Sequence, residues 1–178
     1  LRGEYDFLDG IVGGSTCDGV RRLFDLWRKY KGTAFNQILS IPRKFTTQAH
    51  ELYLSQVTQF KQNLEKHMGV TITDEALTKS IELYNETRAL LKKLYDLRKS
   101  DSPPISGAEV LEVLDAGFRM PKEAFNDLLS KLINELSESS ATHTGRARLA
   151  VVGSVLNNPE FIKSIEDQNA LVVTDELC

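Results

Sequence analysis

Apolar and polar positions alternate in three different ways along the chain. The run "YDFLDGIV" (5–12) is short, apolar and closed by Gly13-Gly14, the pattern of a buried strand. Ser15, Thr16 or Asp18 can cap the helix that comes next, where Val20, Leu23, Phe24, Trp27 and Tyr30 recur at helical spacing and Gly32 supplies a stop. "NQILSI" (36–41) predicts a second strand, ended by Pro42. Strand, helix and strand within residues 5–41 make a βαβ unit, which implies parallel pairing.

From residue 46 to 138 the period changes. Ala49, Leu52, Tyr53, Val57, Phe60, Leu64 and Met68 form one amphipathic stripe. Thr73 caps a second long helix, with Asp74 and Glu75 favourable in its first turn and Leu77, Ile81, Tyr84, Leu91 and Leu94 along it, joined by Leu83, Leu90 and Leu97 at seven-residue spacing. Ser102-Pro103-Pro104 breaks the pattern, Ser106 and Glu109 have capping-box spacing for a third helix, and Pro121 opens a fourth. Strand character returns in "RARLAVVGSVL" (146–156). Asn158-Pro159 opens a short helix to about Gln168, and "ALVVTD" (170–175) is the last strand. The expected fold is therefore α/β, a parallel-sheet domain of Rossmann-like or flavodoxin-like type interrupted by an all-helical insertion. Residues 1–45 would be its first part, 46–145 the insertion, and 146–178 the return to strands, truncated at the C-terminus. Leu1 is not an initiator Met and the chain stops on a strand-like run, so both ends read as those of an internal fragment.

Composition narrows the function classes. With 41% hydrophobic residues, 26% charged residues and a net charge of -3, the chain can bury a core and has no charge bias toward nucleic acid or an anionic membrane. No apolar run approaches the roughly 18 residues of a membrane span, and no signal-peptide pattern opens the chain. Two cysteines are too few for a disulfide scaffold, which favours a reducing, cytoplasmic location.

In a parallel α/β sheet ligands collect beyond the carboxyl ends of the strands. Gly13-Gly14-Ser15-Thr16-Cys17-Asp18, Pro42-Arg43-Lys44, Gly153-Ser154 and Asp175-Glu176-Leu177-Cys178 all leave such ends, so both cysteines fall on one expected rim. Cys17 also lies near a helix N-terminus, where partial positive charge favours the anionic thiolate that ligates metal or attacks an electrophile. A small residue packed in a tight turn fits the same spacing. Arg21, Arg22, Arg43 and Lys44 could bring positive charge to an anionic ligand, and solvation on the surface is the competing reading. Ser154 could touch substrate or simply cap a turn. The glycine loop lacks both the dinucleotide and the P-loop spacing. His50, His67 and His143 have no mutual metal spacing, no carboxylate pair stands out, and no GxSxG elbow supports hydrolase chemistry.

The stretch "FLDGIV…TCDGVRRLFDLW" resembles the 2-hydroxyacyl-CoA dehydratase family, which includes benzoyl-CoA reductase subunits. The likeness continues through "IPRK", the helical series from "FKQNLEKHMG" to "LYDLRK", "ISGAEVLEVLDAG", "VVGSVL" and "VVTDELC". It implies a subunit holding an oxygen-sensitive 4Fe–4S cluster by cysteine thiolates, with one iron open to substrate or water. Cys17 would correspond to the family's first cysteine ligand and Cys178 to its second, a third lying downstream of this chain. It also implies a related second subunit and an ATP-dependent iron–sulfur activator. One low-potential electron passed to the thioester of a 2-hydroxyacyl-CoA would give a ketyl radical able to expel hydroxide, and in the benzoyl-CoA branch the same machinery reduces an aromatic ring. Two other readings stand beside it. One is a catalytically inert folded or interaction fragment of such an enzyme. The other is an ordinary nucleotide-binding redox protein, which would need a glycine fingerprint that is absent.

Overall fold

A computed structural model describes residues 3–139, 143 and 147–177. The chain divides into two compact units, Leu1–Asp74 and Glu75–Cys178. The described residues form six helices and short strands in parallel pairs, an α/β composition in which β1 pairs with β2 and β3 with β4.

The first unit runs β1 (Gly10–Gly14), α1 (Asp18–Tyr30), β2 (Phe35–Leu39) and α2 (Thr47–Met68). Its strands lie parallel from Gly10↔Phe35 to Gly14↔Leu39. β1 starts later than its apolar pattern implied. Residues 3–8 turn twice, with Asp6 N–H donating to Gly3 O and Leu8 N–H to Tyr5 O, and Tyr5 sets its ring edge on Trp27 at 5.6 Å. Gly13 and Gly14, which looked like a stop, are the last two residues of the strand, and at Gly10 and Gly14 the neighbouring segment leaves little room for a side chain. A Cβ on Gly10 would sit 2.7 Å from that of Phe35, and one on Gly14 would sit 2.9 Å from Ile41 Cδ1. Helix α1 buries Phe24 and Trp27, and the Trp27 indole donates to Thr33 Oγ1 at 3.0 Å, so its one polar atom is satisfied. Helix α2 is capped by Thr46 and ended by Gly69 in the left-handed conformation (φ 67). Its apolar stripe is mostly exposed within the unit. Contact with β2 comes through Phe60 and His67, whose rings lie 6.4 and 5.0 Å from that of Phe35.

The second unit holds α3 (Asp74–Leu97, whose first residue belongs to the other unit), α4 (Gly107–Arg119), α5 (Lys122–Glu138), β3 (Ala147–Gly153), α6 (Pro159–Glu166) and β4 (Ala170–Leu177). Leu90 and Leu94 of α3, Ile105, Val110 of α4, and Phe125, Leu129 and Ile133 of α5 pack as one core. A second cluster of Leu111, Ile162 and Val172 seats α4 and α6 against β4. The buried line of α3 is Thr87, Leu90, Leu94 and then Arg98 just past the helix, whereas Leu77, Ile81 and Tyr84 of the expected stripe are exposed. Thr87 Oγ1 donates to Asn126 Oδ1 at 2.7 Å, satisfying a polar pair inside this core.

Local signals hold here. Ser106 and Glu109 form the full capping box, Pro121 precedes α5, and Asn158 caps α6 with Pro159 in its first turn. The first turn of α4 is satisfied by side chains throughout. Ser106 N–H donates to Glu109 Oε2 (2.8 Å) and Glu109 N–H to Ser106 Oγ (3.2 Å). Gly107 and Ala108 N–H donate to the two oxygens of Glu166 at 2.8 and 3.3 Å. β3 and β4 run parallel from Ala147↔Ala170 to Gly153↔Leu177, with a shift between Leu149↔Val172 and Ala150↔Thr174 that leaves Val173 as one extra residue in β4.

Candidate functional site

Cys17 stands at the carboxyl end of β1 and is itself the N-cap of α1. This corrects the expectation that Ser15, Thr16 or Asp18 caps the helix. Cys17 has extended backbone (φ -142, ψ 166), and its Sγ accepts the Val20 N–H at 3.4 Å. Ser15 is engaged elsewhere, its hydroxyl accepting Ile41 N–H at 3.1 Å and its own N–H reaching Leu39 O at 2.8 Å. Asp18 is already helical and pairs with Arg22 at 3.8 Å. The thiol is exposed and free. A thiol at an N-cap faces the positive end of the helix dipole, and here it also takes a backbone hydrogen bond.

Arg43 lies beside this turn: its Nη2 donates to Thr16 O at 3.1 Å. Together with the two Ser15 bonds, it ties the segment after β2 to the residues leading into Cys17. Arg22 is turned to the surface, 71% exposed and paired with Asp18 and Asp25. Past Arg43, an open hollow of about 710 Å³ is lined by Ile41, Phe45, His50 and Tyr53, with Lys44 at its edge.

In the second unit the residues before Cys178 are held from α3. Cys178 itself lies outside the described residues. Tyr95 Oη donates to both oxygens of Asp175, at 2.8 and 3.0 Å. Arg98, only 1% exposed, reaches Asp175 Oδ1 at 3.3 Å and donates to Val172 O at 2.8 Å, with its guanidinium 4.7 Å from the centre of the Tyr95 ring. Burial first, and then the hydrogen bond to the Asp175 carboxylate, push the Tyr95 hydroxyl up to about 12, so it remains a donor at neutral pH. Sequence reading missed Tyr95 and Arg98. A usable signal was present, because Arg98 falls four residues after Leu94, in line with the buried side of α3 and just past its end, a place where a charge needs a partner.

Beside the end of β4 is a cavity of about 440 Å³. Leu111, Leu114 and Phe118 of α4, Val155 and Leu156 of the loop after β3, and Leu177 give it an apolar wall, and Asp115, Asn157, Asp175 and Glu176 supply polar groups at its margin. Ser154 is exposed in that same loop, next to the cavity-lining Val155. Among the described residues no group of three or more His, Cys, Asp or Glu could hold a metal ion, and no helix is long and apolar enough to cross a membrane.

Comparison with known proteins gives this geometry a context. The chain is 29% identical to the C subunit of benzoyl-CoA reductase of Thauera aromatica over 179 residues, which is 99% of this chain and 46% of that protein. It is 26% identical to the (R)-phenyllactyl-CoA dehydratase beta subunit of Clostridium sporogenes, covering 99% of this chain and 48% of the relative. It is also 26% identical to the beta subunit of (R)-2-hydroxyglutaryl-CoA dehydratase of Acidaminococcus fermentans, covering 99% and 47%. The chain thus spans about half the length of the curated relatives it matches. The family model described as 2-hydroxyglutaryl-CoA dehydratase, D-component, matches residues 1–178, and the chain belongs to that family.

Proposed function

We propose that this chain is the part of a 2-hydroxyacyl-CoA dehydratase-type subunit that presents Cys17 and Cys178 to a 4Fe–4S cluster. The full subunit would act on an acyl-CoA together with a related second subunit and an ATP-dependent iron–sulfur activator, in the cytoplasm. The observation that carries the reading is the Cys17 thiol. It is exposed, free, set at the first turn of α1 and anchored by Ser15 and Arg43, in a chain of this family. This placement suits a metal ligand, because the sulfur is exposed at the start of α1 with its position fixed by the Val20 N–H, and backbone hydrogen bonds to cluster sulfurs are a general means of tuning such sites. Bound there, the cluster would supply the single low-potential electron that removal of an unactivated hydroxyl demands.

The chain's own residues would do the rest by holding and excluding. Cys17 supplies one ligand and Cys178 a second, with a further cysteine expected from the remainder of the subunit. The apolar wall of Leu111, Leu114, Phe118 and Val155 would take the acyl portion of the thioester and displace water from it. A ketyl-type dehydration is the favoured chemistry. Reduction of an aromatic acyl-CoA is the second reading, favoured by the likeness to a benzoyl-CoA reductase subunit.

The decisive variant is Cys17→Ser in the full-length subunit, expressed and reconstituted anaerobically. Serine is a strong N-cap, so α1 keeps its first turn while the thiolate is lost. The expected result is a folded protein that has lost most of its iron, sulfide and visible thiolate–iron absorbance. Full iron and sulfide in that variant would refute the ligand assignment. Product analysis with a 2-hydroxyacyl-CoA and with benzoyl-CoA then separates the two activities.

A further inference from the structure

We propose that the hollow beyond the carboxyl end of β2 binds the nucleotide end of an acyl-CoA, its adenine ring and its phosphates. The inference rests on the reading above that the substrate is an acyl-CoA.

The first argument is the place of the hollow in the fold. In a parallel α/β unit ligands gather outside the carboxyl ends of the strands. β2 ends at Leu39, and the segment from Ile41 to Tyr53 that follows it supplies the lining. The start of that segment is fixed to the turn after β1, because Ile41 N–H donates to Ser15 Oγ at 3.1 Å and Arg43 Nη2 to Thr16 O at 3.1 Å. Its end is the beginning of α2, where Thr46 Oγ1 accepts Ala49 N–H at 3.2 Å. Both ends of the lining are therefore anchored. The volume, about 710 Å³, falls within the roughly 300–1,000 Å³ of small-molecule sites.

The second argument is the wall. Phe45 and Tyr53 stand on it with Ile41 and Ala49. Phe45 is fully exposed and Tyr53 is 42% exposed, so both rings have surface to offer a planar ligand. Covering such rings with an adenine base is favourable and needs no matched hydrogen bonds, since every base has an apolar face.

The third argument is charge. Lys44 and His50 line the hollow and no Asp or Glu does, in a chain whose acidic residues outnumber its Lys and Arg by 25 to 22. Among the described residues Lys44 pairs with no carboxylate, so its ammonium is available to an anion. The nucleotide end of CoA joins an adenine ring to a ribose phosphate and a diphosphate, which matches aromatic surface beside positive charge. The cavity beside the end of β4 is unsuited to that end. Its charged margin is Asp115, Asp175 and Glu176 with no basic residue, and like charge would repel the phosphates.

The test titrates the full-length subunit, reconstituted anaerobically, with CoA, benzoyl-CoA, a 2-hydroxyacyl-CoA and pantetheine in a calorimeter. Phe45→Ala and Lys44→Gln alter exposed side chains, so the thermal transition should stay at that of wild type. CoA should bind wild type at least about tenfold more tightly than pantetheine does. Each variant should weaken CoA about tenfold and leave pantetheine unchanged, and Lys44→Gln should also flatten the salt dependence. A CoA analogue with a photoreactive azide on adenine should label residues 41–53. Wild-type affinity for CoA in both variants, or a label recovered only outside residues 41–53, would overturn the site and leave the acyl-CoA reading standing. Equal affinity of wild type for CoA and pantetheine would do the same. Failure of CoA and of both thioesters to bind wild type would overturn the site and that reading together.

Discussion

Glu166 offers the most quantitative prediction. Its carboxylate is 5% exposed and accepts from Gly107 N–H (2.8 Å) and Val172 N–H (3.1 Å) through Oε1, and from Ala108 N–H (3.3 Å) through Oε2. Those bonds join the end of α6 to the first turn of α4 and to β4. A methyl side chain at 166 would leave the buried Gly107 and Val172 amides without this acceptor, at about 1–3 kcal/mol each. Relief of the carboxylate's own desolvation offsets part of that, so Glu166→Ala should cost about 3 kcal/mol. Glu166→Gln keeps a carbonyl oxygen for the Gly107 and Val172 amides but turns an NH2 toward Ala108, and should cost about 1 kcal/mol. Native-state hydrogen exchange reads the effect at the right atoms. Protection of the Gly107 and Val172 amides should fall about a hundredfold in the alanine variant and only several-fold in the glutamine variant. Unchanged protection of both amides in Glu166→Ala would refute the claim that this carboxylate holds the three elements together.

The second unit yields two more expected outcomes. The hydroxyl of Tyr95 titrates higher in the folded protein than its ordinary value near 10, at about 12. Its stabilising contribution is therefore complete below pH about 10 and is lost as the pH rises toward 12, so Tyr95→Phe should remove this alkaline component from a plot of unfolding midpoint against pH. Val155 is 71% exposed on the cavity wall, so Val155→Trp can fill the space without disturbing the core. On the function proposed above, it should raise KM of the full enzyme for an acyl-CoA about tenfold, equivalent to roughly 1.4 kcal/mol, with the iron content unchanged.

The candidate residues of the two units were legible to different degrees. Cys17 was visible because a thiol between a glycine turn and an amphipathic helix has few places to go, and it does sit at the start of α1. Its role as the cap was not visible, since Ser15, Thr16 and Asp18 are all better cap formers by residue type. The structure assigns the cap to Cys17 because Ser15 is drawn to the segment after β2, a partner 26 residues away. Arg43 was marked as a rim cation, and its bond to Thr16 O, 27 residues away, comes from the parallel pairing of β1 with β2. The apolar stripes of α2 and of the first half of α3 were read correctly as helical, but their period does not say which residues meet a neighbour. Leu52, Tyr53, Leu77 and Ile81 are all at least 40% exposed, whereas Thr87 and Arg98 are buried.

By itself the sequence determined what chain geometry settles over three or four residues. Helical spacing brings Ser106 to Glu109 and Asn158 to Glu160 whatever the rest of the protein does, so caps, turns and element types could be read directly. Only the tertiary structure decided which distant side chain completes each local arrangement. The first turn of α4 is finished by a carboxylate 58 and 59 residues away, and Asp175 is held by a tyrosine 80 residues before it. Such pairs carry no period and no local preference. They arise because burying Leu94, Val110 and Val172 fixes the path of the backbone, and any polar group trapped along that path must find a partner there.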